Sequence, residues 1–117
     1  MEPLCNRLQS LVEKTEPNKI LKINQYEILF FRDKDLYDIF VLPYYAFCDE
    51  AFLSFVIKDK SGDLFGVPLR DMANKNISWI TDISFENNIL KVGHWDGYLS
   101  RFDPESNFKL IEQIFTK

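Results

Sequence analysis

The sequence predicts an α+β domain: an N-terminal helix, an antiparallel meander of about six strands and a C-terminal helix. Three observations carry this prediction. Leu4, Leu8, Leu11, Val12 and Thr15 recur at helical spacing, while residues 77–86 alternate with a period of two. The chain also ends on Asp103-Pro104-Glu105, followed by Phe108, Ile111, Ile114 and Phe115 at three- and four-residue intervals.

The first helix is expected over Pro3–Thr15, with Pro3 in its opening turn and Pro17 beyond its end. Short strands are expected at Ile20–Ile23 and Tyr26–Phe31. The polar loop 32–35 then leads into a strand over Leu36–Tyr45, and YEILFF and IFVL are apolar on both faces, as in central strands covered by a helix on each side. Residues 44–50 read as a connection. Ala51–Lys58 is a strand, and Asp59-Lys60-Ser61-Gly62-Asp63 is a turn rather than a calcium loop, because it lacks the acidic spacing of an EF-hand. Leu64–Leu69, carrying Gly66 and Pro68, reads as an edge strand, and residues 70–76 as a polar connector.

A hairpin is expected around Asn87-Asn88, since Asn tolerates the positive φ of a two-residue type I′ turn. That loop pairs Phe85 with Leu90, Ile83 with Val92, Thr81 with His94 and Trp79 with Asp96. On the other face it pairs Ser84 with Lys91, Asp82 with Gly93 and Ile80 with Trp95. A last strand, Tyr98–Phe102, precedes the second helix. The helix should begin at the Asp103 cap and bury Phe108, Ile111, Ile114 and Phe115.

The chain has 117 residues, enough for one hydrophobic core, and 46% are hydrophobic, including eleven Phe. It carries 14 basic and 18 acidic side chains, a net charge of −4 that disfavours binding to phosphate backbones. No apolar run approaches the length of a membrane span, and the opening MEPLCNRLQS does not read as a signal peptide. Cys5 and Cys48 could pair, but two cysteines make no framework, so reduced thiols and a cytoplasmic location are expected.

Catalytic signals are sparse. His94 could act as a general base oriented by Asp96 or Asp82, but i and i+2 on a regular strand lie about 7 Å apart. A histidine bonded to Thr81 or to backbone is the better expectation, with no nucleophile apparent beside it. Cys48 is followed by the acids Asp49 and Glu50, which raise a thiol pKa instead of activating it. No glycine pattern cradles phosphate, and neither a metal nor a cofactor is expected.

Aromatic residues make up 15% of the chain, and Trp95 is the best candidate for exposure. An acidic, aromatic-rich small domain of this kind resembles the bacterial immunity proteins that neutralise toxin domains. That resemblance is one of general character, and it implies a non-enzymatic module that covers a basic cognate toxin. The surface expected from the residues themselves is Trp95, Asp96, Asp82 and Tyr98, with Asp49 and Glu50. The alternatives are a ligand-binding or enzymatic domain using His94, Tyr98 and Arg101 around an aromatic pocket, and a structural homo-oligomer paired through the edge strand at Leu64–Leu69.

Overall fold

The computed structural model describes residues 1–32, 52, 55–72 and 80–116. They form two antiparallel sheets and a single α-helix, and this overturns the expected α+β arrangement with helices at both ends. In chain order the elements are β1 (Glu2–Pro3), α1 (Asn6–Lys14), β2 (Lys19–Ile23), β3 (Tyr26–Phe30), β4 (Phe55–Lys58) and β5 (Leu64–Gly66). A 3₁₀ turn at Leu69–Asp71 follows, then β6 (Ile80–Glu86), β7 (Ile89–His94), β8 (Tyr98–Asp103), a 3₁₀ turn at Pro104–Ser106 and β9 (Lys109–Phe115). The first sheet has the order β1-β5-β4-β3-β2, and the second is the meander β6-β7-β8-β9. The expected strand at Leu36–Tyr45, the connection at 44–50, Trp79 and the start of the hairpin strand lie outside the described residues.

The layers stack as helix, sheet, sheet. Alternation along β3 sends Leu29 and Phe31 toward α1, where Leu8, Val12, Val56 and Leu64 close a small core. It sends Ile28 and Phe30 the other way. There Phe55 and Ile57 of β4 meet Ile80, Ile83, Leu90, Val92 and Phe102 of the second sheet, in the main core. YEILFF is apolar on both faces because β3 is covered on both sides, by the helix on one and, instead of the expected second helix, by a second sheet on the other. Gly66 makes the helix side close: a Cβ there would lie 2.7 Å from Phe52 Cδ1 and 3.0 Å from Leu4 Cδ2.

One expectation about an edge changes. The strand at Leu64–Gly66 is not open, because β1 pairs along it through Glu2↔Gly66 and Pro3↔Phe65. At Phe65 and Gly66 the edge that the homo-oligomer alternative would use is already paired. The turn at 59–63 forms as expected, with Asp59 Oδ1 accepting from the backbone N–H groups of Ser61 and Asp63 at 3.0 and 2.9 Å.

The C-terminal helix is the largest correction. Its start signal is real but short: Asp103 caps the 3₁₀ turn, accepting from Glu105 N at 3.0 Å and from the Ser106 hydroxyl at 2.9 Å. Asn107 and Phe108 then both adopt left-handed backbone (φ 57° each), which ends any helix. Residues 109–115 fold back as β9 onto β8, with a bulge at the Arg101/Phe102 step. The spacing of Phe108, Ile111, Ile114 and Phe115 fits a helical stripe, but a run this short also fits a strand. Only Phe108 of the four is buried.

Cys5 is disulfide-bonded, contrary to the reduced state expected; Cys48, the other cysteine of the sequence, lies outside the described residues. Among the described residues no helix is long and apolar enough to cross a membrane.

Candidate functional site

The second sheet holds the predicted site residues that can be placed. Its hairpin follows the expected register from Glu86↔Ile89 through Phe85↔Leu90, Ile83↔Val92, Ser84↔Lys91 and Asp82↔Gly93. Asn87 and Asn88 occupy the turn with φ 53° and 63°. The register then shifts between Asp82 and Ile80, and His94 faces Ile80 instead of Thr81. This bulge turns Ile80 into the core, so Ile80 does not pair with Trp95 on an outer face.

His94 finds its partner on β8. Its Nε2 lies 2.7 Å from Ser100 Oγ, and Gln113 Nε2 donates to the same hydroxyl at 2.9 Å. Thr81, the expected partner, instead donates its hydroxyl to Gly93 O at 3.3 Å. A serine on a histidine is the pairing of nucleophile and base, and the sequence reading had missed Ser100. The alternation Tyr98, Ser100, Phe102 could have found it, since it puts Ser100 on the face of a core phenylalanine. Yet Ser100 is fully buried and His94 is 5% exposed. In this arrangement the chain of three satisfies polar groups inside a core, which is what burial demands of them.

Of the other residues of the enzymatic alternative, Arg101 lies on the far face of the sheet from His94, while Tyr98 shares the face of Ser100. Arg101, one position from Ser100 on β8, lies on the opposite face and pairs with Glu112 at 2.8 Å. Tyr98 packs edge-on against Phe115, with ring centroids 5.1 Å apart.

The acids of the expected docking surface are also dispersed. Asp82 is exposed and bridged to Lys19 at 3.2 Å, while the same ammonium donates to Ile83 O at 2.6 Å. Asp96 is half-buried, and its Oδ1 has no hydrogen-bond partner among the described residues. Asp49 and Glu50 lie outside the described residues. On the outer face Glu86 meets Lys91 at 2.9 Å, and the hydrogen bond and charge of that ammonium hold its carboxyl below the usual range. With Arg101–Glu112 beside it, this face is a mosaic of paired charges rather than an acidic patch.

What the structure does assemble is an apolar end. Among the described residues, the large hydrophobic residues left exposed are Trp95 (68%), Phe115 (57%), Ile111 (52%), Ile20 (51%) and Ile114 (37%). Four of these five stand on β9 or on the β7–β8 turn. Gly97, at φ 94°, closes that turn with its N–H on His94 O at 3.1 Å. Thr116 then donates to Gly97 O from both its backbone N–H, at 2.8 Å, and its hydroxyl, at 2.7 Å. The end of β9 is thus tied to the turn that carries Trp95. Ile114 pairs across from Leu99, and Phe115 from Tyr98.

The two edges of the second sheet differ. At β6, Lys19 caps Ile83 O and Arg32 Nη1 reaches Thr81 O at 3.3 Å, so cations from the first sheet close that edge. At β9 the sheet ends with no further strand among the described residues. Sequence reasoning missed Ile111, Ile114 and Phe115 as surface residues because it buried them on a helix. Among the described residues no cluster of His, Cys, Asp or Glu could hold a metal ion. No protein-family model, curated protein or solved structure matches this chain.

Proposed function

We propose that this protein is a non-enzymatic binding module of the immunity type, which docks a cognate protein, a toxin domain in the simplest case, through the apolar end of its second sheet. The observation that carries the reading is the grouping of exposed Trp95, Ile114 and Phe115 where the end of β9 is tied to the β7–β8 turn. Exposed apolar clusters of this kind mark interaction surfaces, and aromatic anchors dominate their energetics. Relative to the expectation from sequence, the contact shifts from Asp82 and Asp96 toward β9. Trp95 and Tyr98 are retained.

The net charge of −4 favours a basic partner and has the wrong sign for nucleic acid. Its role here is long-range steering, because the outer-face acids near the site are paired. A cytoplasmic location is the part of the reading that the Cys5 disulfide counts against, since such bonds rarely persist in reducing compartments. The test is affinity purification of the tagged protein from its native cells, followed by mass spectrometry. One stoichiometric basic partner that survives moderate salt supports the proposal. Elution of the protein alone, under conditions where the neighbouring genes are expressed, contradicts it.

A further inference from the structure

We draw no further inference here: the strongest candidate, the outer edge of β9, runs into the apolar end already described as the docking surface, and nothing in the structure shows what covers it.

Discussion

Ser100 Oγ sits 2.7 Å from His94 Nε2 and also accepts a hydrogen bond from Gln113, in a position closed to solvent. Gln113 donates into the hydroxyl, which leaves the Ser100 proton and a second lone pair to meet His94 Nε2 in whichever role its tautomer takes. Ser100→Ala removes the shared partner of two side chains. It should destabilise the fold by about 1–3 kcal/mol, the usual cost of stranding buried polar groups. Urea denaturation measures it. Covalent labelling of Ser100 by a fluorophosphonate under native conditions would contradict the structural role given to it here.

The Asn87-Asn88 turn predicts a sharp asymmetry between substitutions. Asn88→Gly keeps or slightly raises stability, because Gly adopts positive φ without strain. Asn88→Val should lose about 1–2 kcal/mol, since a β-branched residue clashes in the left-handed region. Thermal melts of the two variants, compared with the parent, give the sign and the size.

Backbone exchange distinguishes strand from helix at the C-terminal segment. The bond from Thr116 N to Gly97 O sets the alternation, so the N–H groups of Glu112 and Ile114 also face β8. Hydrogen exchange should show protection at Glu112, Ile114 and Thr116, with Phe115 exchanging faster. Uniform protection over 108–115 would restore the helix.

The contrast between that segment and the hairpin shows what the sequence made legible and why. In the hairpin, the Asn-Asn turn and the period of two agree, and the register was readable as far as Asp82. It failed at Thr81, where a bulge that no local residue announces turns Ile80 inward. At the C-terminus, Asp103, Pro104 and Glu105 announce a helix start, and the chain does make one turn there. The rest depended on whether the hydrogen-bonding edge of β8 or continued helix would claim residues 109–115, and that competition is tertiary. The same holds for the site. Trp95 is expected on the hairpin face opposite Phe85 and Ile83 and is exposed, although the pairing with Ile80 behind that expectation does not form. Ile114 and Phe115, by contrast, became surface residues only once the segment was a strand at a sheet edge.

The Glu86–Lys91 pair makes a pH prediction. A carboxyl held low in the folded state contributes stability above its unfolded pKa, and that contribution is lost as pH falls through the folded value. Lys91→Met should move the Glu86 carboxyl back up toward the ordinary range, with Arg101 alone left to lower it. Carboxyl-carbon chemical shifts followed through an acid titration read this directly.

The disulfide at Cys5 is checked by thiol titration in denaturant. The account expects no free thiol in the native preparation and two after reduction. Reduction should also lower stability by about 2–4 kcal/mol, the typical contribution of a native bridge. Two free thiols before reduction would remove the bond.

The central claim, that the apolar end of the second sheet is where a protein partner sits, is tested most directly by photocrosslinking in the native cells. A benzophenone amino acid is placed at Trp95 or at Phe115, and as a control at Glu13 on the exposed face of α1. The account predicts one discrete protein adduct from positions 95 and 115 and none from position 13. Adducts of equal yield from all three positions, or from position 13 alone, would contradict it.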